Sequence, residues 1–162
     1  MFKSIALVSC LAIFGSFSSG CCPPVEPKPD AKIMLQGEIL VSENANPDQD
    51  GHSSPVTIRI YQLKSGNNFK NADFLALYGD DESVLDTDLL FKEEMDVHPG
   101  TRIPFDREWG QGTRYLGVMA IFQDRETARW RALVDLPDKG DFPVLVKIEN
   151  SSVSIWQEAG SI

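Results

Sequence analysis

The sequence predicts an all-β sandwich with a small helical insertion. From residue 33 onward, apolar residues recur at every second position in short segments, the period of a half-buried strand. Turn-forming Gly, Pro, Asn and Asp residues separate these segments. Residues 113–122 are apolar on both faces, which is typical of a strand in the middle of a covered sheet. Seven or eight such strands form a two-sheet sandwich.

Each predicted strand shows its own alternation or apolar run. In chain order the strands cover residues 33–41, 56–61, 89–97, 101–105, 113–122, 129–135, 144–149 and a last segment from residue 153. The pattern breaks between residues 69 and 88. Asn71 is predicted to cap a short helix over 72–78 that ends at Gly79, and residues 80–88 can hold a second helical turn. The acidic residues of 80–88 are interpreted as a solvated face.

The first 20 residues have the pattern of a secretory signal. Lys3 precedes an apolar segment of residues 5–17, which is shorter than the ~20 residues of a membrane-spanning helix. The small residues 18–20 and then Cys21 resemble a lipoprotein processing site, so Cys21 is the predicted lipidation site. Ser18 stands where lipoproteins usually have Leu, and an ordinary signal peptide is the alternative. Cys22 rather than Asp after the modified cysteine favours the outer membrane.

Residues 21–30 are predicted to be an acylated cysteine and a proline-rich linker. The sequence PPVEPKPD favours an extended spacer of ~3 Å per residue, about 25 Å in all. A tail without a spacing role is the alternative. The folded domain is then residues 31–162, which is enough chain for one sandwich with its own core.

Charge and cysteine usage exclude several classes of protein. After residue 20 the chain carries 14 Lys and Arg against 24 Asp and Glu, which argues against binding nucleic acid. The cysteines are Cys10, Cys21 and Cys22, so the folded domain has no disulfide, thiol chemistry or cysteine-based metal site.

No catalytic or metal motif stands out, and we expect neither an enzyme nor a cofactor. Nucleophile-elbow, phosphate-loop and dinucleotide-turn sequences are missing. His52 and His98 are interpreted as loop residues. Alternating oxygen side chains over residues 44–50 resemble a calcium loop, but the Gly and Glu that such a loop needs at its sixth and twelfth positions are absent.

The polar segment 42–55 between the first two strands is the candidate binding element. Its 14 residues exceed the usual hairpin connection of about 2–5, and loops of this length are commonly functional or disordered. A solvated acidic loop without a role is the alternative. The predicted partner-binding residues are Ser42, Glu43, Asn44, Ala45, Asn46, Pro47, Asp48, Gln49, Asp50, Gly51 and Pro55.

Taken together, these motifs resemble the TssJ lipoproteins of bacterial type VI secretion systems. The resemblance covers essentially the whole chain. It is carried by the lipoprotein start, the N-P-D-x-x-G segment 46–51, the strand PVTIRIYQL at 55–63, and Phe69 with the A-D-F-x-x-L segment 72–77. It continues through Leu85, Asp88-Leu89-Leu90, Pro99-Gly100, Tyr115 to Val118 with Phe122, and Trp130-Arg131.

The resemblance implies a transthyretin-like sandwich and a non-enzymatic role. It further implies an outer-membrane lipoprotein on the periplasmic face that binds the periplasmic domain of TssM, and indirectly TssL, through the loop 42–55. Shortening this loop is then expected to abolish TssM binding and leave thermal unfolding nearly unchanged. Replacing Asp73 or Phe74 is expected to impair folding.

A periplasmic ligand- or glycan-binding lipoprotein is the alternative function. It requires an apolar pocket with convergent polar groups, and Trp109 with Tyr115 is the candidate exposed aromatic pair.

Overall fold

The computed structural model describes residues 33–137 and 141–157, and these residues form two four-stranded sheets. The predicted all-β sandwich is confirmed. The strands are β1 Ile33–Val41, β2 Val56–Leu63, β3 Leu89–Val97, β4 Arg102–Trp109, β5 Tyr115–Ile121, β6 Arg131–Asp135, β7 Asp141–Glu149 and β8 Ser152–Gln157. The predicted signal peptide, Cys21 and the linker to residue 30 lie outside the described residues.

One sheet has the order β4-β1-β7-β8 and the other β3-β2-β5-β6. β1 pairs antiparallel with β4 and parallel with β7. Because β4 pairs along the full length of β1, from Arg102 to Trp109, it is longer than the predicted 101–105. Gly37 is required where β1 meets β7, since a Cβ there would lie 2.0 Å from the carbonyl oxygen of Val144.

Alternating side chains from both sheets fill the space between them. Leu35 and Ile39 of β1, Ile58 of β2 and Val118 of β5 are fully or almost fully buried there. Burial of such side chains contributes roughly 1.5–3 kcal/mol each relative to exposure. This is the main core of the sandwich.

A helical insertion covers the outer face of the second sheet and creates a second core. Its elements are α1 Asn67–Asn71, α2 Phe74–Gly79, α3 Asp81–Leu85 and a 3₁₀ turn, Asp86–Asp88. Phe69, Leu77 and Leu85 from the insertion are buried with Tyr61 and Met119 of the sheet. β5 is therefore covered on both faces, which explains its uninterrupted apolar sequence.

The predicted helix 72–78 with its Asn71 cap is wrong in detail. Asn71 is the last residue of α1, and Ala72 is extended with φ −63° and ψ 142°. The chain therefore re-enters helix at Phe74, and the carboxylate of Asp73 caps α2 by accepting a hydrogen bond of 3.0 Å from the Ala76 N–H.

The interpretation of residues 80–88 as a solvated face is wrong for Asp81, which is 4% exposed. Its carboxylate accepts hydrogen bonds from the Tyr61 hydroxyl at 2.9 Å, from Lys92 Nζ at 2.9 Å and from Arg59 Nη1 at 3.2 Å. Burial, followed by the nearby Asp81 charge, raises the pKa of Tyr61. The three partners fasten α3 to β2 and β3.

No helix in the described ranges combines the length and apolar character needed to cross a membrane.

Candidate partner-binding loop

The loop between β1 and β2 is held against the sandwich along its first half. The Ser42 N–H donates to the Ile148 carbonyl at 2.9 Å, and the Asn46 N–H donates to the Asn150 carbonyl at 2.8 Å. The Asn44 side chain donates to the Asn150 side chain at 2.9 Å. These bonds join the loop to the end of β7 and to the β7–β8 turn. They give the first half of the loop a defined conformation, unlike that of a freely solvated loop.

Asn46 is the central fixed point of the loop. It is 3% exposed and has a positive φ of 50°, a conformation that Asn tolerates better than most residues. Its Nδ2 donates to the Pro55 carbonyl at 2.6 Å, and its Oδ1 accepts from the Gln123 N–H at 2.8 Å. One side chain therefore closes the base of the loop and joins it to the segment after β5.

Ser54 completes this closure. Its hydroxyl donates to the Asn46 carbonyl at 2.7 Å and accepts from Nε2 of Gln123 at 2.6 Å. Beyond it, Pro47 and Ser53 form an antiparallel bridge. Residues 48–52 thus form a short tip on a rigid base.

The tip is organised around the carboxylate of Asp48. This group accepts hydrogen bonds from the His52 N–H at 2.8 Å and from the Asp50 N–H at 2.9 Å. These bonds, that from His52 first, lower the pKa of Asp48 below its usual 3.8. Gly51 has a φ of 83°, so a glycine permits the turn at this position.

The predicted partner-binding residues divide into accessible and supporting ones. Ala45 is fully buried and Asn46 nearly so, and neither can contact a partner while the loop keeps this conformation. Ala45 packs in the main core, a placement that a polar-loop interpretation could not anticipate. The exposed members of the predicted set are Glu43, Asn44, Gln49, Asp50, Gly51 and Pro55, and the half-buried ones are Ser42, Pro47 and Asp48.

The connection between β5 and β6 lies beside the tip and was missed from the sequence. It forms one wall of an open depression of about 470 Å³, with Pro47, Asp48 and Gln49 on the opposite side. Asp124 shapes this wall by accepting a hydrogen bond of 2.5 Å from the Thr127 hydroxyl, which is the main cause of its lowered pKa. The D-x-x-T spacing of these residues was the available turn signal. The other wall residues are Gln123, Arg125, Glu126 and Ser151.

The oxygen side chains of residues 44–50 do not converge on a common point that could hold calcium, because Asn44 and Asn46 form hydrogen bonds within the protein instead. A different set, Asp48, Asp50 and His52, places one potential ligand atom from each residue within 4.8 Å of the others. Asp50 and His52 are exposed, and His52 Nδ1 lies 3.4 Å from the Asp48 carboxylate. These contacts are those of a self-bonded turn.

The aromatic pair considered for a ligand site is not exposed as predicted. Trp109 is 5% exposed and Tyr115 is half-buried. Trp109 lines a cavity of about 50 Å³ between the sheets, and its Nε1 has no hydrogen-bond partner among the described residues. Benzene binds in an engineered cavity of about 150 Å³, so this cavity is too small for a sugar or a drug-sized ligand.

Comparison with known protein families gives one match over most of the domain. A family model described as type VI secretion lipoprotein (VasD, EvfM, TssJ) matches residues 34–151. This range includes the loop, the helical insertion and strands β1 to β7 apart from the first residue of β1, and it ends just before β8. No curated protein sequence matches the chain.

Solved structures of this fold are similar along nearly their whole length. The T6SS lipoprotein TssJ1 from Pseudomonas aeruginosa is 26% identical with a TM-score of 0.74, and the match covers 82% of this chain and 100% of that one. A chain of a type VI membrane complex is 26% identical with a TM-score of 0.67, covering 80% and 99%. A chain in a structure described as the T6SS protein TssM C-terminal domain from EAEC is 25% identical with a TM-score of 0.62, covering 77% and 98%.

Proposed function

The chain belongs to the type VI secretion lipoprotein family that includes TssJ, and from this premise we propose that it binds the periplasmic domain of TssM through the tip of the β1–β2 loop. In this role it anchors the secretion machinery at the periplasmic face of the outer membrane, with TssL joined indirectly through TssM. Its part in the complex is structural rather than catalytic.

The main support for this proposal is that residues 48–52 are held in a fixed conformation at the surface. A loop whose conformation is fixed before binding loses less entropy on association than a disordered one. Asn46 and Ser54 fix the base, while Gln49 and Asp50 are exposed at the tip. Similar chains in a type VI membrane complex and in a TssM structure support TssM as the partner.

The charge of the surface indicates what it recognises. Asp48, Asp50, Asp124 and Glu126 lie at or beside the tip, and Arg125 is the basic residue among the lining residues of the depression. A basic or amide-rich surface on TssM would complement this arrangement and raise the association rate.

The membrane anchor in this proposal is an acylated Cys21. Three acyl chains on one cysteine would hold the chain in a bilayer, because each buried CH₂ contributes about 0.8 kcal/mol. Intact-mass measurement of the mature protein tests this directly. A Cys21→Ala chain recovered from membranes with unchanged yield would argue against the anchor.

The binding proposal is tested by replacing only the tip. Removing residues 42–55 entirely would delete the buried Ala45 and Asn46, so the expectation that unfolding stays unchanged no longer holds for that deletion. Asp48–His52 should instead be replaced by Asn-Gly, which forms a tight two-residue turn between the paired Pro47 and Ser53. The tagged domain, residues 31–162, is used to capture the periplasmic domain of TssM from the same organism.

We expect the wild-type domain to capture TssM and the tip variant to lose capture while its melting temperature stays close to wild type. An Asp106→Ser variant, altered at an exposed position of β4, serves as the matched control and should bind normally. Undiminished capture by the folded tip variant would exclude the tip as the binding element.

A further inference from the structure

The two ends of the sandwich carry different surfaces. One end of the sandwich lies beside the β1–β2 loop, and we call it the loop end. There β1 ends at Val41, β2 begins at Val56 and β3 ends at Val97. Ile33 pairs with Trp109, and Leu63 pairs with Leu89, at the opposite end. The chain arrives there from Cys21, so this is the linker end. Strands of nine residues separate the two ends by about 30 Å.

The linker end exposes two consecutive large apolar side chains. Leu90 is 42% exposed and Phe91 is 47% exposed. The exposure of Leu90 has a local cause, since the β2–β3 register passes from Gln62↔Phe91 to Leu63↔Leu89 and leaves Leu90 as the extra residue of a bulge. β3 is also an edge strand of its sheet. Adjacent exposed apolar residues of this kind are common at surfaces that contact a protein or a membrane.

The distribution of charge favours a membrane at this end and not at the other. Around the loop tip the exposed or half-buried charges are mainly acidic: Glu43, Asp48, Asp50, Asp124 and Glu126, with Arg125 and Arg129. At the linker end, the exposed or half-buried charges include Lys64, Lys70 and Arg114 together with Asp86, Asp88, Glu108 and Asp135, so basic and acidic groups are mixed. An anionic lipid surface repels the first arrangement and tolerates the second.

We propose that the linker end rests on the phospholipid surface, with Leu90 and Phe91 in the interfacial layer and the β1–β2 loop directed away from it. This inference rests on the proposed anchor at Cys21. Eleven residues separate Cys21 from Ile33, so the linker spans at most about 40 Å. A tether this short keeps the patch at an effective concentration in the millimolar range at the membrane, where a weak apolar contact suffices to orient the domain.

The test uses the mature acylated chain with Cys22→Ser, in vesicles of phosphatidylethanolamine and phosphatidylglycerol. A fluorophore is attached through Lys64→Cys. The Lys64 N–H donates to the Asp88 carbonyl at 2.8 Å, so this label lies beside the patch and replaces neither of its two apolar residues. A Gln49→Cys label at the loop tip is the distant control. Emission is compared between vesicles with brominated and with ordinary acyl chains.

We expect bromine to lower the emission of the label at position 64 at least twofold and to leave the label at position 49 unchanged. Leu90→Ser with Phe91→Ser should abolish the quenching at 64. Leu75→Ser, which alters an equally apolar residue that is 67% exposed on α2, should not. If the protein floats with the vesicles but bromine changes the emission of neither label, the membrane contact is excluded. That result would instead favour a linker that holds the domain away from the bilayer. Protein that does not float would overturn the anchor, and this inference with it.

Discussion

Two buried polar residues, Asn46 and Asp81, hold the β1–β2 loop and the helical insertion in place. Asn46 joins the two ends of the loop to the segment after β5, and Asp81 joins the helical insertion to the sheet. Both are almost fully buried with their polar atoms bonded. Removing one partner from such a group exposes its full desolvation penalty, so both positions should be sensitive to substitution.

Asp81→Asn should lower the free energy of unfolding by about 2 kcal/mol, because its charge-assisted bonds to Arg59 and Lys92 would weaken, although Arg59 keeps its pair with Glu94. Urea denaturation measures this. The neighbouring Glu82→Gln is the matched control, since the Glu82 side chain is 77% exposed and lies 3.9 Å from the same lysine. Equal stability of the two variants would mean that the Asp81 network does not hold the insertion.

Asn46 makes two separable contributions, its side-chain bonds and its left-handed backbone. Asn46→Gly should lower the free energy of unfolding by about 2 kcal/mol through the lost bonds to Pro55 and Gln123. Asn46→Ala should cost about 1 kcal/mol more, because a Cβ disfavours the φ of 50°. Thermal and urea unfolding of the pair would show this order, and a more stable alanine variant would contradict the strained backbone.

The loop tip should respond to acid through Asp48. Its pKa is lowered in the folded chain, so its contribution to stability is present above the unfolded value of 3.8 and is lost as the pH falls through the lower folded value. In an NMR titration, the amide resonances of Asp50 and His52 should shift with a midpoint below 3.8, and Asp48→Asn should remove the shift. A midpoint at or above 3.8 would show that these bonds do not form.

At the scale of secondary structure, the sequence predicted the features that depend on neighbouring residues and missed those that depend on residues far along the chain. Alternation within β1 predicted this strand at its observed bounds, because burial of one sheet face imposes a period of two on neighbouring residues. The partners of Asp81 lie 11, 20 and 22 residues away, so no local pattern could show that this carboxylate is buried. The core position of Ala45 likewise depends on a distant sheet.

The N-terminal cap of α2 is a position where the sequence prediction, Asn71, and the structure, Asp73, differ. Asp73→Ala should lower the free energy of unfolding by about 1 kcal/mol, since it removes the acceptor of the Ala76 N–H. Asn71→Ala should have a smaller effect, because Asn71 is exposed and bonds only the Asn67 carbonyl of its own helix. Denaturation of both variants decides between the caps, and the reverse order of stability would restore Asn71 as the cap.

At the scale of the whole molecule, the sandwich separates the linker end from the loop end, which in our proposals face the membrane and TssM respectively. The chain enters beside Trp109 and the loop tip projects about 30 Å away, at the far ends of the same strands. Covering both faces of the second sheet gives a rigid body between the two ends.

We propose that the exposed loop tip recognises TssM, and reversing the charge of the tip tests this proposal. Isothermal titration of the TssM periplasmic domain with the wild-type domain should be compared with Gln49→Lys/Asp50→Lys, and with Asp106→Lys as the control distant from the tip. We predict that the tip variant raises Kd at least 100-fold, whereas the control changes it by less than about threefold, as expected for a charge outside the interface. Unchanged affinity of a correctly folded tip variant would show that the loop tip is not the TssM-binding surface.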